Sequence, residues 1–235
     1  MNLFDNYEIE SLMIGDYKIC QSKGLYKFTS DSVLLSKFSS CPKNAVVGDL
    51  CSGSGIVGLH FFALNSQSVR AVHLFEIQPK LSQMSEKTVE LNGLEKVFTV
   101  HNLPIQQIDG SFNQTFDLLL CNPPYKKKNT GGVGKEHIAI CKHEIKVTFD
   151  EICSVSKRLL KSGGRLVFCN ATDRLFDCFN SLKQANLFPH RLVFIHGNLT
   201  DKPYLFMCEA YKGVEKQLVI DPPLINKMKN ISGEV

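Results

Sequence analysis

From residue 45 onward the chain alternates short apolar runs with helix-length stretches, and this alternation constrains the fold more than any other feature. Ala45 to Leu50 is an apolar run with glycine in and after it, the pattern of a strand buried on both faces. Ile56 to Leu64 reads as a helix, Ala71 to Phe75 as a second strand and Gln78 to Leu91 as a second helix. Val97 to His101 is a third strand. Phe116 to Cys121 is a fourth, with Leu118, Leu119 and Leu120 in an unbroken apolar row. Phe149 to Lys161 reads as a helix with Gly163-Gly164 as its C-terminal stop. Arg165 to Asn170 is a strand and Leu175 to Ala185 a helix. Arg191 to His196 and Tyr204 to Tyr211 are the closing strands. Strands alternating with helices imply a mostly parallel sheet of seven strands, covered by helices on both faces. The last two strands have no helix-length segment between them, so they are expected to form an antiparallel hairpin at the sheet edge.

A chain of 235 residues fits one domain. Residues 1–44 read as a small N-terminal cover, 45–221 as the α/β core and 222–235 as a polar tail expected to fray. In the cover, Tyr17 to Gln21 and Leu25 to Phe28 look like short strands around Ser22-Lys23-Gly24. Thr29-Ser30-Asp31 offers N-cap chemistry ahead of Val33, Leu34, Leu35 and Phe38. Hydrophobic residues at 43% and charged residues at 21% exclude wholesale disorder. No apolar run approaches the roughly 18 residues that span a bilayer, so no membrane partner is expected. The start, MNLFDNYEIE, carries three acidic residues and no basic one, unlike a signal peptide. The nine cysteines show no CxxC spacing and read as reduced, mostly buried residues of a cytoplasmic protein. His137, His143 and His190 have no partners at metal-ligand spacing, so no metal is expected. A net charge of +4 permits a nucleic-acid partner without demanding one. The chain is expected to be a monomer.

The turn after the first long strand runs Asp49-Leu50-Cys51-Ser52-Gly53-Ser54-Gly55-Ile56-Val57-Gly58. Gly53, Gly55 and Gly58 satisfy GxGxxG, where glycine allows a sharp turn and close approach of a ligand to the backbone. Glu76 lies 21 residues after Gly55, at the end of the second strand, where an acid accepts hydrogen bonds from ribose hydroxyls. The ligand is therefore expected to contain an adenosine. Asp49 discriminates further: a carboxylate before the glycines repels a pyrophosphate and suits a cationic ammonium or sulfonium. S-adenosylmethionine is the cofactor that combines both features. NAD-type binding, and a glycine turn with an incidental aspartate, are the alternatives.

Cys121-Asn122-Pro123-Pro124-Tyr125 follows the fourth strand directly. Ligands of open α/β sheets bind beyond the carboxyl ends of the strands, at the point where strand order reverses. Two prolines fix two φ angles and remove two donors, so the turn is stiff and presents carbonyls. An amino group conjugated to a ring is a poor nucleophile. Acceptors from the Asn122 side chain and the Pro123 carbonyl would bind its two N–H groups and turn its lone pair toward a methyl donor. Tyr125 would stack on the base. A proline-rich turn with an exposed tyrosine is the plainer alternative.

Together the two turns resemble the class I, S-adenosylmethionine-dependent N-methyltransferases with an NPPY motif, whose fold is Rossmann-like. The resemblance runs over roughly residues 29 to 170. It implies Asn122, Pro123, Pro124 and Tyr125 as the catalytic loop. It implies a cofactor site of Thr29, Asp31, Asp49, Cys51, Gly53, Gly55, Glu76, Ile77, Asn102, Leu103 and Asn122. Family members modify adenine N6, cytosine N4 or a glutamine amide. The stretch Thr29-Ser30-Asp31-Ser32-Val33-Leu34-Leu35 resembles the TD-x-x-LL segment of bacterial tRNA methyltransferases that make N6-methyladenosine beside the anticodon of a valine tRNA. Ile138 to Glu144 resembles a second segment of theirs, and Lys161-Ser162-Gly163-Gly164 and Lys202-Pro203 also fit. The resemblance thus implies methyl transfer to adenosine 37 of a valine tRNA. It departs from the family after the third strand, where Val100-His101-Asn102-Leu103-Pro104 has no acid for the cofactor's adenine.

Lys126, Lys127 and Lys128 follow Tyr125 and are candidates for contact with RNA phosphates, or else a solvated loop. Three rival functions stay open at this level: an rRNA adenine or protein glutamine methyltransferase, an NAD(P)-binding oxidoreductase, and a noncatalytic RNA-binding module.

Overall fold

The computed structural model describes residues 7–22, 29–124 and 146–226. Eleven strands and five α-helices occur among them. In chain order they are β1 (Tyr7–Ser11), β2 (Lys18–Ser22), α1 (Ser30–Phe38), β3 (Ala45–Leu50), α2 (Ile56–Asn65), β4 (Val69–Glu76), α3 (Pro79–Leu91), β5 (Phe98–Asn102) and β6 (Phe116–Cys121). They continue as α4 (Phe149–Leu159), β7 (Leu160–Ala171), α5 (Leu175–Gln184), β8 (Leu187–His196), β9 (Leu205–Lys212), β10 (Val219–Ile220) and β11 (Leu224–Ile225).

The main sheet has the order β10-β8-β9-β7-β6-β3-β4-β5, with β11 also on β8. Pairing is parallel from β5 through β4, β3 and β6 to β7. The seven expected long strands are all present, in a class I methyltransferase arrangement. The hairpin of β8 and β9 also forms, but β9 inserts between β7 and β8 and pairs antiparallel with both. The antiparallel strand is therefore interior, and β8 is the outer member.

Strand β6 shows why the apolar runs were readable. Leu118 and Leu120 enter the core on one face, Leu119 and Cys121 the core on the other, and all four are fully buried. A parallel strand covered on both sides has no polar face to alternate with. Helices α1, α2 and α3 cover the first face, through residues such as Leu35, Phe61 and Val89. Helices α4 and α5 cover the second, through Phe149, Ile152, Leu159 and Leu182. Helix α4 starts with a capping box: Thr148 Oγ1 accepts the Glu151 N–H, and Glu151 reaches back to the Thr148 N–H. Gly48 lies where sheet and side chains meet most closely. A Cβ there would come within 2.6 Å of Leu119 Cδ2.

Three features differ from expectation. The expected strand near Tyr17 to Gln21 is present as Lys18–Ser22, and its partner is Tyr7–Ser11, a strand that was not expected; Leu25–Phe28 lies outside the described residues. The hairpin is fastened to α3 by the Asn92 side chain, which bonds both the N–H and the carbonyl of Lys18, and by the Cys20 N–H to Thr88 Oγ1. Gly163-Gly164 does not stop α4, which ends at Leu159 and passes straight into β7. Instead it marks a register shift between β6 and β7, where Phe116 faces Leu160 and Leu118 faces Arg165. Gly163 takes φ +72°, and a Cβ on Gly164 would lie 3.0 Å from the Phe116 carbonyl oxygen. Finally, the segment after residue 221 does not fray at once. β10 and β11 run along β8 in parallel and cover the sheet edge.

Asn226 ends that segment at 3% exposure. Its Nδ2 lies 2.7 Å from Ser30 Oγ, 2.8 Å from the Tyr204 hydroxyl and 3.4 Å from Asp31 Oδ1. Removing this donor from a buried polar cluster costs about 1–3 kcal/mol. Asn226→Ala is therefore expected to lower the free energy of unfolding by that amount in urea titration, and an unchanged midpoint would show that the segment carries no stability.

Candidate active site

The register of β3 and β6 decides what can meet. Leu50 stands opposite Cys121, so the two strands end level. The turn from Cys51 and the turn from Asn122 leave the sheet side by side, at the carboxyl ends where the strand order reverses.

In the first turn, Cys51, Gly53 and Gly55 take φ of +58°, +58° and +83°. A Cβ on Gly53 would meet nothing within 4 Å, so the backbone there borders open space. Gly58 answers a different need. A Cβ there would lie 2.7 Å from Leu74 Cδ2, so its absence lets α2 lie close on β4. The GxGxxG spacing thus joins one open backbone position to a tight helix–strand contact.

Asp49 is 1% exposed. Its Oδ2 accepts the Gly58 N–H at 2.9 Å, in the first turn of α2, while its Oδ1 is buried with no hydrogen-bond partner. Burial, opposed by the Gly58 bond, raises its pKa to about 7, and the nearby Glu76 adds to the rise. Glu76 Oε2 accepts the Gly53 N–H and Oε1 the Gln78 N–H, both at 2.8 Å. Burial also raises the Glu76 pKa. The acid expected to meet a ribose therefore already ties the end of β4 to the glycine turn, with further lone pairs on each oxygen for a ligand. Ser85 Oγ donates to the Gly53 carbonyl at 3.1 Å and braces the turn from α3. Ser85 escaped sequence reading because a serine within a helix carries no signal of what it faces.

Asn122 is half-buried. Its Nδ2 donates to Ser32 Oγ at 2.9 Å, and its Oδ1 accepts from the Cys169 thiol at 2.9 Å. Pro123 and Pro124 are buried behind it. Tyr125, Lys126, Lys127, Lys128 and the Ile138–Glu144 segment lie outside the described residues.

The other candidates fall into two groups. Cys51, Ile77 and Leu103 are half-buried beside the strand ends. Asn102 is exposed at the end of β5, and its Nδ2 donates to the Glu76 carbonyl at 2.8 Å. Thr29 and Asp31 are at the start of α1, on the Asn122 side. Thr29 occupies the N-cap position without a side-chain cap bond. Asp31 is buried and accepts from the Tyr204 hydroxyl at 2.7 Å. Ser32 and Cys169, which flank Asn122, were not legible as site residues because both come from distant segments. Among the described residues no group of three or more His, Cys, Asp and Glu could hold a metal ion, and no helix is long and apolar enough to cross a membrane.

A family model described as the methyltransferase small domain matches residues 22–184. The chain belongs to this family. It is 24% identical over 180 residues to a Shewanella woodyi protein named tRNA1(Val) (adenine(37)-N6)-methyltransferase, covering 75% of this chain and 72% of that protein. A Shewanella frigidimarina protein of the same name is 21% identical over 201 residues, with 83% and 79% coverage. Among solved structures, a predicted O-methyltransferase of Agrobacterium tumefaciens aligns with a TM-score of 0.65 at 17% identity, covering 83% of this chain and 86% of that one. TYW2 of P. horikoshii in complex with MeSAdo aligns at 0.63 and 12%, with 89% and 73% coverage. The fold is that of a class I methyltransferase, and S-adenosylmethionine is its cofactor. The residues present suit that group. The unpartnered Asp49 oxygen is a buried acceptor for a cation, and the Gly53 backbone is open to close approach.

The raised Asp49 pKa sets a pH dependence. A carboxyl group whose pKa is higher folded than unfolded favours folding while protonated, and that contribution fades as pH rises through the folded pKa, here about 7. Glu76 shifts in the same direction. The ligand-free melting temperature is expected to fall between pH 5 and pH 8, by less in Asp49→Asn. Added S-adenosylmethionine should stabilise the wild type more at pH 8, where Asp49 is ionised. Calorimetric melts at both pH values check this; equal shifts with cofactor at both would refute it.

Proposed function

We propose that this enzyme transfers a methyl group to adenine N6 in RNA, at adenosine 37 in the anticodon loop of a valine tRNA. The observation that carries the reading is the level ending of β3 and β6, which sets the Asn122-Pro123-Pro124 acceptors beside the glycine turn. The names of the two Shewanella relatives support the substrate. The reaction requires no general base, because the amine loses its proton only after it has become cationic.

S-adenosylmethionine, when bound, supplies an activated methyl group on a cationic sulfur. The chain's own residues bind and orient. Asp49 offers a carboxylate oxygen for the cofactor's positive charge, and Gly53, Gly55, Cys51 and Glu76 shape the turn that holds its adenosine. Ile77, Asn102 and Leu103 would hold the adenine, with Asn102 Oδ1 in place of the usual acid. Thr29 and Asp31 approach from α1. Asn122 Oδ1 and the Pro123 carbonyl accept the two N–H groups of the target amine, which directs its lone pair at the methyl group. Pro124 keeps the turn stiff and Tyr125 stacks on the flipped base. Lys126, Lys127 and Lys128 contact RNA phosphates in a salt-dependent manner.

The deciding experiment is transfer of labelled methyl from S-adenosylmethionine to size-fractionated bacterial RNA, with total protein and DNA as parallel acceptors. N6-methyladenosine in the tRNA fraction is the expected product. Label in ribosomal RNA or in protein glutamine overturns the substrate and keeps the chemistry. Asn122→Ala is expected to lower turnover about a hundredfold or more with cofactor affinity retained; near-normal turnover would sink the mechanism.

A further inference from the structure

We infer that Ser32 and Cys169 are positioning residues that fix which end of the Asn122 amide faces the substrate. The inference rests on the reading of Asn122 as the acceptor for the target amine. An asparagine amide has nearly the same shape when its oxygen and nitrogen are exchanged, so packing alone does not choose between them. The reaction needs the oxygen outward. With the nitrogen outward, N–H groups of enzyme and substrate would oppose each other and the substrate lone pair would be engaged rather than freed.

The surroundings break the symmetry from two sides. Ser32 Oγ, 3% exposed, accepts the Nδ2–H at 2.9 Å. Cys169 Sγ, in a fully buried residue, donates to Oδ1 at 2.9 Å. A hydroxyl can serve either amide orientation by rotating, but a thiol is a poor acceptor and would not replace the lost bond if the amide flipped. Cys169 therefore supplies the directional preference and Ser32 the second anchor. An amide oxygen has two lone pairs. The thiol takes one, and the other remains for the substrate N–H. Burial, reinforced by the negative charge of Asp31, raises the Cys169 pKa well above the ordinary thiol value, so the group stays a donor.

Ser32 is itself held in place. Its N–H donates to the Thr29 carbonyl at 3.1 Å in the first turn of α1, and the neighbouring Asp31 is anchored to Tyr204 at 2.7 Å. Cys169 is set by the β7–β9 ladder, opposite Met207. Both supports are rigid elements rather than loops, as orientation of a reacting group requires.

The test is single-turnover methylation of an unmodified valine tRNA transcript, or of whichever acceptor the wild type labels in the fractionation above. Ser32→Ala and Cys169→Ala are each expected to slow the step about tenfold, with S-adenosylmethionine affinity by calorimetry held within about twofold of wild type. Cys169→Ser restores a donor and is expected to recover most of the rate. In an Asn122→Ala background neither alanine substitution should cost anything further, because residues that act only through Asn122 cannot act without it. Wild-type rates in both single variants, alongside an inactive Asn122→Ala, overturn this inference alone. An equal additional loss in the Asn122→Ala background overturns it as well, since that marks a merely structural role. Full activity in Asn122→Ala overturns the underlying reading instead. Should Cys169→Ala fail to fold, Ser32→Ala and Cys169→Ser carry the same comparison.

Discussion

The parallel pairing of β3 with β6 is the interaction on which the remaining arrangement depends. Strand β3 has β4 on its other side, so order runs outward in both directions from this pair. The described connections after β3 and β6 lead to opposite faces, α2 on one and α4 on the other, and this topology places a ligand crevice at the carboxyl ends. The pairing is held by burial of both strands on both faces, and by the Gly48 contact that only a missing Cβ permits. At its amino end Asp117 substitutes for a ladder bond by accepting the Val46 N–H at 2.9 Å, while Lys161 pairs with the same carboxylate at 2.7 Å. A one-residue slip of this register would exchange the two faces of β6 and misalign both turns.

The crevice is built from groups that oppose stability in isolation. Asp49 and Glu76 are buried carboxyls whose pKa values rise because the interior disfavours their charge. Their bonds to Gly58, Gly53 and Gln78 only partly offset that cost. A cationic ligand changes the balance, because it supplies the charge that the interior lacks. On the proposed cofactor site, cofactor binding and folding stability are linked through the same two residues.

Much of the core was legible because its signals are local. Ala45–Leu50 and Phe116–Cys121 were bounded correctly, since a strand buried on both faces is simply a short apolar run between polar or glycine-rich segments. What failed was non-local or ambiguous. Tyr7–Ser11 has Ile9 half exposed among glutamates and so lacks an apolar signature. Gly163-Gly164 reads the same whether it caps a helix or relieves a strand irregularity, because both use the freedom of glycine at positive φ. Within the site, Asp49, Glu76 and Asn122 stood out by chemistry at fixed spacing. Ser32, Ser85 and Cys169 did not, because each matters through one hydrogen bond to a distant residue.

The insertion of β9 beside β7 ties these non-local pieces together. Because β9 is antiparallel, it begins where β7 ends, and Leu205 stands opposite Ala171. Tyr204 therefore enters at the carboxyl ends of the parallel strands, next to the crevice, with its N–H on the Ile195 carbonyl. From there its hydroxyl reaches Asp31 and pins the first turn of α1. That turn carries Ser32, which meets Asn122. The terminal segment along β8 adds Asn226 to the same cluster, so the edge strands and the chain's last described residues support the orientation of one amide. Were β9 at the edge instead, β8 rather than β9 would adjoin β7. Tyr204 would then stand one strand farther from Cys169 and Asn122. The order of the last two strands thus belongs to the site as much as to the fold.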